Sequence, residues 1–308
     1  MSLLLPFVQL IGGLVILLVG GTFTVHAAVR LAMILRLPPA IIGLTMVAFG
    51  TSLPELVASI YANLGGYADI AVGNAAGSNI ANVGLVLGVT LLVGPILKHH
   101  KPAQFASDCI VMLILAGVLI FLLLIGMIPR WVGLILVAGH GGYIFWSYHK
   151  HQADVPATGE NASLALSVTA LIGGGFGLAL GAHFLVEGVL ATGSALGIPH
   201  AILAISVVAI GTSLPELVTC IIAVRHNQFA VALGNILGSN IFNITIILGG
   251  AAAIHPMMFD PSLFVLTGAM LLPTSFALAL MTFRPGARWV GGVLLLSYIA
   301  FLYYQFQS

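Results

Sequence analysis

The same stretch occurs twice in this chain. Residues 50–88 and residues 211–249 both open with Gly-Thr-Ser-Leu-Pro-Glu. Aligned without a gap at an offset of 161, they agree at 20 of 39 positions. Each copy carries one glutamate inside a long apolar run. Glu55 lies in a stretch otherwise uncharged from Leu37 to Ala68, and Glu216 in one otherwise uncharged from Gly188 to Val224. A carboxylate at the centre of a membrane helix costs roughly 2.5–3.5 kcal/mol on insertion scales, so such a residue by default marks an ion pathway. Two of them, in matching motifs, constrain both fold and chemistry.

The solvent for this fold is lipid. The 308 residues are 60% hydrophobic and 6% charged, with mean hydropathy +1.17, whereas soluble domains carry about 25% charged residues. The net charge of +1 says nothing about nucleic acid and no basic block suggests it, so no nucleic-acid partner is expected. Cys109 and Cys220 both fall in apolar segments and read as buried small residues, forming neither a disulfide nor a metal site. The first apolar stretch, Leu3 to Val25, is long enough to remain a span, and no cleavable signal is expected.

Ten apolar segments are expected, at 3–27, 39–64, 69–95, 105–126, 129–148, 164–190, 200–224, 229–253, 261–282 and 287–304. Arg30, Arg36, Lys98, Lys101, Lys150, Arg225, Arg284 and Arg288 then share one side, and Arg130 alone takes the other. The positive-inside rule makes the eight-charge side cytoplasmic, with both termini outside. Five spans separate corresponding points of the two copies. Five is odd, so the halves run in opposite directions, a transporter design with sites near the midplane at the repeat interface. The expected fold is an all-α polytopic membrane protein with ten transmembrane helices in two inverted five-helix repeats. The repeats are residues 1–146 and 164–308, and residues 147–163, rich in charge, Pro and Gly, form a cytoplasmic linker.

In a regular helix Pro54 has no N–H for the Gly50 carbonyl. A kink is expected there, freeing carbonyls around Ala48 to Gly50, which lipid tolerates only where they line a cavity or bind something. Thr51 and Glu55 are four apart and share a helix face. Gly211 and Pro215 repeat the device with Ala209, Thr212, Ser213 and Glu216. Carboxylates, hydroxyls and carbonyls are hard oxygen ligands suited to Ca²⁺ or Na⁺. In the next segment Asn74, Ser78 and Asn82 form one stripe, repeated by Asn235, Ser239 and Asn243. Gly73 and Gly77, like Gly234 and Gly238, allow close approach of a neighbouring helix, expected to be the kinked second segment. The serines point to ligation. For Asn74, Asn79, Asn235 and Asn240, interhelical hydrogen bonding competes with ligation.

The remaining ionisable groups read as structural. Asp69, Asp108, Asp154, Glu160 and Asp260 sit at segment ends, where solvated or capping roles are expected, and Glu187 sits toward a membrane face. His140 and His183 read as hydrogen-bonded core residues, and the His99/His100 and His149/His151 pairs as interfacial loop residues. No HExxH, GxSxG or Walker lysine motif is present, so no enzyme is expected and transport must be ion-driven or passive.

Two copies of G-T-S-x-P-E, each followed by G-N-x-x-G-S-N-x-x-N, resemble the two alpha repeats of the cation/calcium antiporter superfamily, in particular its sodium/calcium exchanger branch with small bacterial calcium/sodium antiporters. The resemblance implies central sites around the two glutamates. By motif, the ligands would be the Ala48 carbonyl, Thr51, Ser52, Glu55, Ser78 and Asn82 from the first half. The second half would supply the Ala209 carbonyl, Thr212, Ser213, Glu216, Ser239 and Asn243. Some exchangers of this superfamily carry aspartate where this chain has Asn243, so here only two carboxylates serve the centre. The resemblance also implies that the first and sixth segments slide over a rigid core. Glycines at 12, 13, 20, 21, 173, 174, 175, 177 and 181 suit such a contact. The expected function is Ca²⁺/Na⁺ antiport across the cytoplasmic membrane. The alternatives are the same fold coupled to H⁺ or a passive cation channel, which would show no counterflow. Ca²⁺, Na⁺ and the lipid bilayer are the expected partners; no cofactor and no obligate protein partner are expected.

Overall fold

A computed structural model describes residues 4–34, 51–93, 105–150, 164–225, 229–283 and 288–307. These are helical almost throughout. In chain order they form α1 (Leu4–Ile34), α2 (Leu53–Leu64), α3 (Ala68–Val93), α4 (Ala106–Ile125), α5 (Arg130–Lys150), α6 (Leu164–Leu196), α7 (His200–Arg225), α8 (residues 229–254), α9 (Val265–Phe283) and α10 (Arg288–Gln305). Six helical stretches among the described residues are long and apolar enough to cross a membrane: α3, α4, α6, α7, α8 and the run Pro261–Met281. The protein is a membrane protein by this measure.

Burial sorts the helices into layers. α3 and α8 are the most enclosed, with 78% and 83% of their apolar windows inside the protein, against 39% for α4. The outer helices carry exposed large side chains such as Ile114, Phe121, Phe145, Phe276 and Leu296. That continuous apolar exterior is the lipid-facing counterpart of a polar surface. α1 and α6 lie against one another as a separate pair, covering α2 and α7 through a cluster that includes Leu10, Leu17, Leu53, Ala62, Leu185 and Leu203. Small residues let their backbones meet. A Cβ on Gly20 would stand 2.9 Å from the Leu178 backbone nitrogen, and one on Gly181 2.6 Å from that of Leu17.

The outer helices cross over between halves. α10 packs on α3 and α5 on α8. A Cβ on Gly291 would meet the Gly88 carbonyl oxygen at 2.5 Å, and one on Gly133 the Gly249 carbonyl oxygen at 2.5 Å. Gly88 and Gly249 are aligned positions of the two copies. Both inner helices also widen into a π turn at aligned positions, Asn82–Leu87 in α3 and Asn243–Leu248 in α8. Such turns often mark functional sites, because they re-aim side chains by part of a turn.

Gly126 ends α4 at φ 75°, a conformation that suits a residue without Cβ. The chain then enters a short antiparallel ribbon in which Met127 faces Met258 and Ile128 faces Met257.

Several sequence expectations resolve here. Asp260 is exposed and caps the turn after the ribbon, where the Ser262 backbone N–H, 2.9 Å away, holds its carboxyl below the usual carboxylate range. Asp108 is not solvated: it is buried and accepts a hydrogen bond from the Tyr143 hydroxyl at 2.7 Å. α5 brings a donor to it, which apolar patterning alone does not reveal. His140 and His183 are hydrogen-bonded as expected, to Thr245 at 2.8 Å and Tyr61 at 2.6 Å, and Cys109 and Cys220 are free and buried. Asp154, Glu160, His99, His100 and His151 lie outside the described residues.

Candidate functional site

α2 and α7 start the site, because each carries a proline one residue before its glutamate. In α7 the helix breaks at Ser213 (φ −81°, ψ 4°) and restarts at Leu214. In α2 Ser52 is the N-cap (φ −91°, ψ 8°) with Pro54 in the first turn. A proline in the first turn wastes no donor, so each glutamate sits in the opening turn of a fresh helix, where the dipole favours negative charge. The carbonyl deprived by Pro215 is that of Gly211, four residues back. Ala209 keeps a bond, since the Ser213 N–H donates to its carbonyl at 3.1 Å, so only its second lone pair is available to a ligand. Ala48 lies outside the described residues.

The two glutamates are each about 1% exposed, and bonds around them cross between the halves. Ser52 Oγ donates to Glu216 Oε1 at 2.9 Å. The Thr212 hydroxyl of the other motif faces Asn74 Oδ1 at 3.3 Å and the Val208 carbonyl oxygen at 3.0 Å. Within its own half, Glu216 Oε1 takes a longer bond from Ser239 Oγ at 3.4 Å. Glu216 is thus held chiefly by a hydroxyl of the opposite motif, not by Thr212, the threonine one turn away on its own helix.

α3 and α8 close the site from either side. The glycine face of α3 packs on α7 of the other half and not on α2. A Cβ on Gly77 would stand 2.5 Å from the Ile205 carbonyl oxygen, and one on Gly73 3.0 Å from that of Ala201. Asn74 does reach α2, donating to Ser59 Oγ at 2.9 Å and the Glu55 carbonyl at 3.2 Å, while its Oδ1 faces Thr212 Oγ1 at 3.3 Å. Further along, the amides clasp across the centre. Asn82 Nδ2 donates to Asn240 Oδ1 at 3.1 Å and Asn243 Nδ2 to Asn79 Oδ1 at 2.9 Å. Asn74, Asn79 and Asn240 are therefore interhelical bonding groups. The clasp engages the nitrogen ends of Asn82 and Asn243 and leaves their oxygens.

Those oxygens belong to a set. Among the described residues, Glu55 Oε2, Glu216 Oε2, Ser78 Oγ, Ser213 Oγ, Asn82 Oδ1 and Asn243 Oδ1 are buried with no hydrogen-bond partner. Leaving one such group unsatisfied costs about 1–3 kcal/mol, more when charged, so two carboxylate oxygens together with four neutral ones make a set that favours a cation. The donor set contains only oxygen, which suits hard cations. No group of three or more His, Cys, Asp or Glu that could hold a metal occurs among the described residues. Of the residues expected from sequence, Thr51, Ser52, Glu55, Ser78, Asn82, Thr212, Ser213, Glu216, Ser239 and Asn243 are all buried in this region. Sequence reasoning passed over Ser59 and read Cys220 only as a buried small residue; the two stand at aligned positions against Asn74 and Asn235. Their spacing of four from each glutamate was the available signal.

Comparison with known proteins shows which family and fold the chain is similar to. The family model described as "Sodium/calcium exchanger protein" matches residues 5–149 and 166–307. The chain is 31% identical to sodium/calcium exchanger MaX1 of Methanosarcina acetivorans, over 96% of this chain and 97% of that one. It is 34% identical to inner membrane protein YrbG of Escherichia coli (strain K12), over 97% and 96%. Among solved structures, the sodium-calcium exchanger NCX_Mj soaked with 10 mM Na⁺ and zero Ca²⁺ superimposes with TM-score 0.68 at 30% identity, covering 97% of this chain and 98% of that one.

Proposed function

The chain belongs to the sodium/calcium exchanger protein family, a family of transporters and not of enzymes, and from that premise we propose that it is a secondary antiporter exchanging Ca²⁺ for Na⁺ by alternating access. The observation that carries this reading is the pair of buried glutamates, each with one unpartnered oxygen, with Glu216 bonded by Ser52 of the opposite motif. Two carboxylates balance one Ca²⁺ or two Na⁺. The ligands are Thr51, Ser52, Glu55, Ser78 and Asn82 with Thr212, Ser213, Glu216, Ser239 and Asn243, joined by the carbonyls of Ala48 and Ala209. When Ca²⁺ leaves, the carboxylates need new counter-charge. Protons would satisfy them without the neutral oxygens, whereas several Na⁺ ions use those oxygens as well.

The architecture of this reading is ten spans in two inverted repeats, residues 1–146 and 164–308, joined by a cytoplasmic linker at 147–163. The paired π turns and the paired glycine crossings at Gly88 and Gly249 support it. α1 and α6, a two-helix unit with close backbone contact, slide across the α2–α3–α7–α8 core to switch access. The membrane is the cytoplasmic one, with both termini outside.

Two experiments test this. Proteoliposomes loaded with Na⁺ and diluted into Na⁺-free medium containing Ca²⁺ should take up Ca²⁺ only while the Na⁺ gradient lasts. Equal uptake driven by a proton gradient with no Na⁺ present would replace Na⁺ by H⁺. For orientation, Lys101→Cys and Asp69→Cys are probed on intact cells with an impermeant thiol reagent. Asp69→Cys should label and Lys101→Cys should not; the reverse pattern would invert the topology.

A further inference from the structure

The two halves differ chemically at one aligned position beside the centre. In the first half Ser59 Oγ accepts from Asn74 Nδ2 at 2.9 Å, and the other end of that carboxamide faces Thr212. In the second half the residue is Cys220. Asn235 Nδ2 points at its sulfur at 3.6 Å, the thiol donates to the Ala232 carbonyl at 3.5 Å, and Asn235 Oδ1 is buried without a partner. Cys220 follows Glu216 by four residues on the same helix, so thiol and carboxylate share a face. Glu216 Oε1 is taken by Ser52 and Ser239, while Oε2 is free of partners among the described residues.

We propose that Cys220, Asn235 and Glu216 form a second, softer cation site that binds thiophilic divalent cations of the Cd²⁺ class. Sulfur selects such ions over Ca²⁺ and Na⁺, which take oxygen. Binding forms a bond from the metal to Cys220 Sγ, and the thiol proton leaves to solvent. Glu216 Oε2 supplies one oxygen donor. The Asn235 carboxamide turns so that its unpartnered Oδ1 replaces Nδ2 toward the sulfur and supplies the other, and water completes a four-coordinate shell. The first half has no counterpart, because Ser59 offers no sulfur and both ends of the Asn74 side chain are engaged. The site goes beyond the exchange reading but shares Glu216 with it, so Ca²⁺ and Cd²⁺ exclude one another.

The purified full chain in detergent is titrated with Cd²⁺ while the ultraviolet thiolate-to-cadmium charge-transfer band is followed. This readout needs no ion gradient and stands apart from the choice of coupling ion. The band should appear in the wild type and in Cys109→Ser, vanish in Cys220→Ser, and be displaced by excess Ca²⁺. Asn235→Ala should raise the half-saturating Cd²⁺ about tenfold or more. A band that is absent from the wild type, that follows Cys109, or that ignores Asn235→Ala overturns the site. Should Cys220→Ser fail to fold, Cys109→Ser leaves Cys220 as its sole thiol. Saturating Cd²⁺ must then slow its modification by a small methanethiosulfonate, and a lack of protection refutes the proposal.

Discussion

Glu55→Gln and Glu216→Gln should each abolish ion exchange while leaving a folded protein. Glutamine keeps the shape of the side chain, and at position 216 its carbonyl oxygen can still accept from Ser52 Oγ, now 2.9 Å from Glu216 Oε1. What it removes is one of two charges at a buried centre. With a single carboxylate, a bound divalent ion carries uncompensated charge in a low-dielectric site. Breaking a buried charge pair by deleting one partner costs about 3–5 kcal/mol, which corresponds to a loss of roughly a hundred- to a thousandfold or more in ion affinity. Vesicle uptake of labelled Ca²⁺ by the purified variants should fall to background. A ligand that binds only the native state raises stability in proportion to the logarithm of its saturation. The variants should therefore also lose the upward shift in melting temperature that Ca²⁺ gives the wild type. Uptake near the wild-type rate from either variant would remove the glutamates from the site. A variant that melts cooperatively but takes up nothing separates loss of binding from loss of fold.

Gly77→Leu should prevent accumulation of folded protein. Three atoms of α7 crowd the space a side chain would need, with Ile205 O, Ile205 Cα and Ala209 Cβ at 2.5, 2.8 and 2.9 Å from an added Cβ. Two of these are backbone and cannot rotate away. Overpacking in ordinary cores costs about 1–3 kcal/mol. Here α3 and α7 must separate as rigid helices, which also pulls Asn74 away from Thr212. Gly117→Leu is the control, because a Cβ at Gly117 meets nothing within 4 Å. Size-exclusion profiles of detergent extracts should show a monodisperse peak for Gly117→Leu and aggregate for Gly77→Leu. A well-folded, active Gly77→Leu protein would mean that this crossing does not hold the centre together.

Much of the molecule can be read from the chain alone. Sixty per cent apolar residues dictate a helical membrane protein, since lipid leaves backbone groups no partner outside the helix. Duplicated Gly-Thr-Ser-Leu-Pro-Glu motifs identify the two carboxylates and the hydroxyls beside them, because a carboxylate in such surroundings persists only with a task. Four-residue spacing likewise predicts the polar stripes from Asn74 to Asn82 and from Asn235 to Asn243. These inferences are local: each depends on helix period and residue chemistry within one segment.

Partner choice is not local, and only the tertiary structure decided it. Spacing pairs Thr51 with Glu55 and Thr212 with Glu216, yet the folded chain gives the Ser52 hydroxyl to Glu216 of the opposite motif and turns that of Thr212 toward Asn74. The glycine face of α3 could serve α2 or α7, and it serves α7. The same composition that places Asp108 near a segment end does not disclose that Tyr143 reaches it. Nor does a periodic stripe say which end of Asn82 or Asn243 is left over. That depends on Asn240 and Asn79, which come from the opposite half and take the nitrogen ends. The physical reason is common to all four cases. Helix periodicity determines which side chains share a face, but the packing of helices distant in sequence determines what that face meets, and it is this meeting that leaves the six oxygens of the centre without a hydrogen-bond partner.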